Sequence, residues 1–180
     1  MDHQILDQLR RDHDNIRLLL KLLADQVGRF RSGESVDYAL VEDALRYLTG
    51  YSDIYHHPLE DELYRELKSA APDAAAAVQQ TVDQHDALVD EGRETMERVE
   101  AIEESAIVRR DKLLELVDHY WYALGRHMMF EERYLFPLAA ERLSAENWDA
   151  IEARMNDAPD PLFGPAVEAD YRNLLSRLSA

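Results

Sequence analysis

Apolar residues along this chain recur at three- and four-residue steps, the period of an amphipathic helix. No stretch between turn signals alternates with the period of two that a half-buried strand requires. The first seam is Leu6, Leu9, His13, Ile16, Leu20, Leu23 and Val27; it predicts a helix over residues 2–29 that Gly28 and Gly33 end. The second helix, 37–70, carries Val41, Leu45, Leu48, Ser52, His56, Leu63 and Leu67 on one side. Pro58 inside it removes a backbone N–H and predicts a kink or a split beside His56. Pro72 and Asp73 stop that element and cap a third, 74–103, with the seam Val78, Thr81, His85, Leu88, Thr95, Val99 and Ile102. The fourth, 106–142, runs through Leu113, Val117, Tyr120, Leu124, His127, Glu131, Tyr134 and Leu138. Ser144 is placed to cap a short helix through Trp148, Ile151 and Met155. A proline-rich turn follows at 159–165, and Tyr171, Leu174 and Leu178 then share a face. Four long helices with short joints predict an all-α fold, an up-down-up-down antiparallel four-helix bundle over 1–143. A short C-terminal helical extension, 144–180, packs on it.

Each seam has a histidine where an apolar residue belongs. His13 precedes His56 by 43 residues and His85 precedes His127 by 42; each later histidine is followed four residues on by a glutamate, Glu60 and Glu131. Overlaying 46–67 on 117–138 matches Tyr51 with Tyr122, His56 with His127, Glu60 with Glu131 and Leu67 with Leu138. Height along the bundle sharpens the pattern. With turns near 33, 72 and 104, His13 lies about 20 residues before the first turn and His56 about 23 after it. Glu60 and His85 lie about 12 and 13 residues either side of the second turn, and His85 and His127 about 19 and 23 either side of the third. At ~1.5 Å per residue these groups share one level to within roughly a turn. Residues four apart lie on one helix face, so four imidazoles and two carboxylates converge in one core layer. A buried, unpaired carboxylate costs several kcal/mol, and a metal cluster satisfies all six groups together. Nitrogen and oxygen donors without sulfur suit Fe, Mn or Zn, and six are too many for one zinc with an open position. Two octahedral ions fit, with two histidines each, both glutamates bridging and a solvent oxygen between them.

Composition narrows the classes. The 180 residues include 37 Asp and Glu against 20 Lys and Arg, a net charge of −17 that disfavours a nucleic-acid footprint or an anionic membrane surface. Hydrophobic residues at 46% support a packed core. Cysteine is absent, which removes disulfides, thiolate catalysis and iron–sulfur clusters. No apolar run approaches the ~20 residues of a membrane span, and the opening MDHQILDQLRRDH has neither the basic start nor the apolar stretch of a signal peptide. A cytoplasmic location is expected. The other histidines are expected outside the ligand set. His57 can pair with Asp61 at i,i+4, but the second half has Met128 and Glu132 there, so its expected place is beside the ligands or at the surface. His119 is about 80° around the helix from His127, and His3 is expected in solvent. Tyr120 and Tyr134 are expected in the core and Met128–Phe130 in packing.

The segments Arg11-Asp12-His13-Asp14-Asn15, His56-His57-Pro58-Leu59-Glu60-Asp61-Glu62, Gln84-His85-Asp86 and His127-Met128-Met129-Phe130-Glu131-Glu132 resemble the hemerythrin-like, HHE cation-binding family over about residues 3–143. The resemblance implies a four-helix bundle with two iron ions joined by an oxo or hydroxo bridge, Mn or Zn being the possible substitutes. Carried over position by position, the ligands are His13, His56, Glu60, His85, His127 and Glu131. The implied partner is a small diatomic or peroxide ligand: O₂, peroxide or nitric oxide, met in oxidative or nitrosative stress or iron homeostasis. Oxygen-carrying hemerythrins use five histidines, with Asp for one carboxylate. Four histidines would leave both irons open and favour redox chemistry over reversible carriage. A non-enzymatic module that binds, senses or stores oxygen or iron is the alternative, and monomer and homodimer both stay open.

Overall fold

The imidazole of His3 opens the first helix by accepting the Ile5 amide at 3.3 Å. Helix α1 then runs Gln4–Arg31, until Gly33, at φ 75°, turns the chain where a side chain would be strained. The computed structural model describes residues 3–103, 110–155 and 159–178. Asp37 caps α2 (Tyr38–Tyr47) through the Leu40 amide at 3.2 Å. A π-helical stretch, Leu48–His56, carries the chain directly into α3 (His57–Ala70). After a 3₁₀ turn, Pro72–Ala74, α4 spans Ala75–Glu103. The fourth rod is α5 (Arg110–Phe130), a second π-helical stretch at Glu131–Leu135, and α6 (Phe136–Arg142). The joint expected near 104, the seam position Ile102 and the expected helix start at 106 lie outside the residues whose side chains are described.

Pro58 neither splits its rod nor sits in ordinary α-helix. The stretch before it widens, the His57 amide reaching back five residues to the Ser52 carbonyl, and Pro58 falls in the first turn of α3. Pro137 does the same in the fourth rod, where the Phe136 amide bonds to the Glu131 carbonyl. A proline ring clashes with the carbonyl four residues back and supplies no N–H, and a wide turn relieves both problems. The widening also shifts phase. The fourth seam passes from Glu131 to Leu135 and Ala139, both fully buried, instead of Tyr134 and Leu138. Tyr134, expected in the core, is 45% exposed.

Helix α1 packs on α2 and α5, and α4 packs on α2, α3 and α5, so the described residues form an all-helical bundle. Two apolar clusters fill it. One gathers Ile16, Leu20, Leu23, Leu45, Val99, Val117 and Leu124; the other gathers Leu6, Leu9, Leu63, Leu67, Val78, Phe136 and Ala139. Between them in the sequence of every rod fall most of the buried polar residues: Asp12 and His13, Ser52 to Glu60, Thr81 to His85, and His127 to Glu131. The core is apolar at both ends and polar across its middle.

The tail rests on this frame. Ser144 and Asn147 form a capping box at α7 (Ala145–Glu152), which packs on α3. Its Trp148 stacks on His3 at 4.3 Å, so His3 is a packed helix cap and not a solvent-exposed ring. Tyr47 donates to Asp160 at 2.8 Å and Leu162 is fully buried, bringing the chain to a 3₁₀ turn (Ala169–Tyr171) and α8 (Arg172–Leu178) against α1 and α2. No described helix is long and apolar enough to cross a membrane.

Candidate metal centre

All six expected ligands are buried and meet in the polar layer. The first rod brings His13, the second His56 and Glu60, the third His85, and the fourth His127 and Glu131. Glu60 Oε1 lies 3.3 Å from His13 Nε2 and 3.4 Å from His56 Nε2, and its Oε2 lies 3.5 Å from His85 Nε2. Glu131 mirrors it. Its Oε2 is 3.5 Å from His13 Nε2, while Oε1 is 3.1 Å from His127 Nε2 and 3.5 Å from His85 Nε2. Each carboxylate therefore offers one oxygen to the His13 side and the other to the His85 side.

Of the two places expected for His57, the structure takes the one beside the candidate ligands. His57 is 4% exposed, stacks on His85 at 4.5 Å, and stands perpendicular to His127 at 5.9 Å. A donor atom from each of His57, Glu60, His85 and His127 lies within 4.8 Å of the others, as do donors from His13, His56 and Glu60. Five histidines, not four, share the layer. Asp61 does not serve His57 but bonds His85; the carboxylate beside His57 is Asp53, with Oδ1 3.4 Å from Nδ1. The histidine doublet carried the signal. Successive helical residues point about 100° apart, so a doublet on a rod with core neighbours on two sides can face both.

The remaining residues divide simply. His119 is 72% exposed at its side chain and pairs with Glu91, away from the layer. Tyr120 is buried in the larger apolar cluster. Met128 packs in the core, while Met129 and Phe130 are exposed. Tyr64, unmarked in the sequence, is fully buried and donates its hydroxyl to Glu131 Oε1 at 2.8 Å. Its place four residues after Glu60, on the same face, is the feature that points to it.

Outside the layer the other ring nitrogen is engaged in four of the five histidines, while His57 Nδ1 has no hydrogen-bond partner. His13 Nδ1 meets Glu132 at 2.9 Å, His56 Nδ1 meets Asp12 at 3.2 Å, His85 Nδ1 meets Asp61 at 2.8 Å, and His127 Nδ1 meets Gln84 Oε1 at 3.0 Å. With Nδ1–H donating outward, the Nε2 lone pair is left facing inward, the arrangement that orients metal-binding imidazoles. His13 Nε2, His85 Nε2, His127 Nε2, both Glu60 oxygens and Glu131 Oε2 have no hydrogen-bond partner although buried. Such atoms are costly when left unpaired, and they are nitrogen and oxygen donors of the kind iron, manganese or zinc accepts. The residues fit a metal pair.

Protons partly stand in for that charge in the metal-free chain. Burial acts to lower His13, but its hydrogen bond to Glu132 and the nearby charges of Glu60 and Glu131 raise it to about 9. His85 goes to about 10 in the same way, burial being outweighed by its Asp61 hydrogen bond and the nearby charges of Glu60 and Glu131. Burial dominates at His56 and lowers it to about 4 despite Asp12. Burial acts to raise Glu131, yet His127, His85 and His13 hold it well below the carboxylate range.

Comparison with known proteins gives one match. The model of the hemerythrin HHE cation binding domain matches residues 4–139. No curated protein and no solved structure matches the chain significantly.

Proposed function

This chain belongs to the hemerythrin HHE cation-binding family, and from that premise we propose that its polar layer holds two iron ions and takes up O₂, peroxide or nitric oxide. The four rods are then the up-down-up-down frame of that centre. The carrying observation is the set of inward imidazole nitrogens and carboxylate oxygens without partners. His57, His85 and His127 hold one ion, His13 and His56 the other, and Glu60 and Glu131 span the pair. Bound iron would supply one-electron exchange and affinity for a diatomic molecule. Three imidazoles on one side and two on the other would leave the His13 and His56 side the less crowded for such a molecule. The two apolar clusters keep water from either end of the layer.

The fifth histidine changes the balance between chemistries. The preference for redox turnover rested on two equally open ions, and His57 removes that equality. Binding at one ion gains ground over consumption of the ligand, which favours the oxygen- or iron-binding module over an enzyme. Iron content and the near-ultraviolet spectrum of aerobically purified protein test the centre itself; fewer than two metals per chain overturns it. Cycling the reduced protein with O₂ separates the two chemistries. A stable adduct that releases O₂ supports binding, and irreversible oxidation with peroxide consumption supports turnover.

A further inference from the structure

The four outward hydrogen bonds form a closed circuit around the bundle. Asp12, beside His13, serves His56; Asp61, beside Glu60, serves His85; Gln84, beside His85, serves His127; and Glu132, beside Glu131, serves His13. Each rod thus supplies a ligand and, one residue away, the partner of the next rod's histidine. The repeat offsets map the partners onto each other as they map the ligands. Asp61 and Glu132 stand 71 apart, like His56 and His127; Asp12 and Gln84 stand 72 apart, like His13 and His85. Three members of the circuit are carboxylates. Gln84 is a neutral amide.

We propose that Gln84 is a tuning residue that makes the ion beside His127 easier to reduce than a carboxylate at that place would. This rests on the two-ion reading above. A carboxylate accepting the Nδ1 proton makes an imidazole a stronger donor through Nε2 and so favours the oxidised metal; an amide does so less. The ion with three histidines would otherwise be the more electron-rich of the two, and Gln84 offsets that. The amide lies where a change is tolerated. Gln84 and His127 both line a groove of about 490 Å³ between α4 and α5, with Gln80 one turn away on the same wall.

The test compares full-length, iron-loaded wild type with Gln84→Glu, Gln84→Leu, Asp12→Asn and Gln80→Glu, reading iron per chain and the midpoint potential followed through the near-ultraviolet band. Gln84→Glu is expected to retain two irons and lower the potential by at least a tenfold change in the one-electron equilibrium, about 59 mV. Asp12→Asn, its repeat mate, should raise it. Gln80→Glu adds the same charge to the groove without reaching His127 and should shift the potential much less. Gln84→Leu separates the hydrogen bond from packing, and a potential equal to wild type overturns the proposal. So does an equal shift in Gln84→Glu and Gln80→Glu, or none in a fully loaded Gln84→Glu. A wild-type chain holding fewer than two irons instead overturns the two-ion reading itself, and this inference with it.

Discussion

The half of the layer built on His13 and His56 and the half built on His85 and His127 use one plan and finish it differently. Both place an imidazole on one rod and an imidazole with a glutamate four residues later on the next. Both turn each imidazole by a bond from Nδ1 to the neighbouring rod. Among the places where they part, His57 stands against Met128, Asp12 against Gln84, and Tyr64 against Leu135. The shared plan brings donors together, and under the proposed two-ion reading the unshared residues would decide how unequal the two ions are.

The sharpest way to break that comparison is at the carboxylates, which serve both halves. Glu60→Gln is expected to lower metal content from two per chain to none, because both positions lose a charged donor. In the metal-free state the same change should also cost stability, since the Glu60 charge helps to hold the protons of buried His13 and His85. Metal analysis and urea unfolding of the two forms check both losses. A variant that keeps both ions shows that Glu60 does not bridge.

His57→Ala acts on one half alone. It should leave the ion beside His13 and His56 while weakening the other by at least tenfold, and His119→Ala should change nothing. Met128→His is the converse, giving the poorer half a sixth imidazole; with both ions retained, it should block uptake of nitric oxide by the reduced protein. Metal titration and the nitrosyl spectrum read the two effects. Equal behaviour of His57→Ala and His119→Ala would remove His57 from the centre.

Much of this was legible in the sequence, and the limits have physical causes. The apolar period located every long helix, since burying an apolar stripe is what a bundle helix does. The level argument brought the six candidate residues together, because helical rise is nearly constant. What failed was phase. A π turn adds a residue without changing composition, so nothing in the spacing of Glu131, Tyr134 and Leu138 betrayed that Leu135 and Ala139 take the inner face. The overlay of Leu67 on Leu138 fails for that reason, Leu67 being fully buried and Leu138 only half-buried. His57 was expected beside the ligands or at the surface, and the sequence alone does not choose between the two because the doublet's orientation depends on which neighbours flank its rod. Tyr64 needs the third dimension: its partner is 67 residues away.

The phase shift yields its own test. Leu135→Ala should cost about 2–5 kcal/mol, as for a buried leucine, and Tyr134→Ala should lie within about 0.5 kcal/mol of wild type. Chemical denaturation at one pH suffices. The opposite order would restore the unbroken α-helical seam.

Proton linkage acts in both halves of the metal-free chain. His13 and His85 are raised to about 9 and about 10, above the ordinary imidazole value of 6.5, so their contribution is complete below pH 6.5 and is lost as pH rises through 9 to 10. His56, lowered to about 4, works on the acid side: the unfolded chain binds its proton first, so stability falls between pH 6.5 and 4. Metal-free protein should have its optimum near pH 6.5. Metal displaces the protons at His13 and His85, so the gap in melting temperature between loaded and metal-free protein should widen from pH 7 to 10. A constant gap would mean that these imidazoles do not give up protons to bind metal.

The smallest effect belongs to Tyr64, whose repeat position in the fourth rod is the hydroxyl-free Leu135. Its O–H gives Glu131 a donor, which draws charge from one bridging carboxylate and keeps that side chain from turning. Tyr64→Phe makes the two carboxylates more alike and leaves the ring in place. Two ions should still bind, and the loaded protein should lose about 1–2 kcal/mol, the worth of a buried bond to a charged acceptor with little packing change. In the metal-free chain the loss should be at least as large, since Glu131 then keeps only imidazole partners. If the loaded chain loses more, the hydroxyl matters chiefly for setting the carboxylate against the metals, and Tyr64 joins His57 and Gln84 among the residues that separate the two halves.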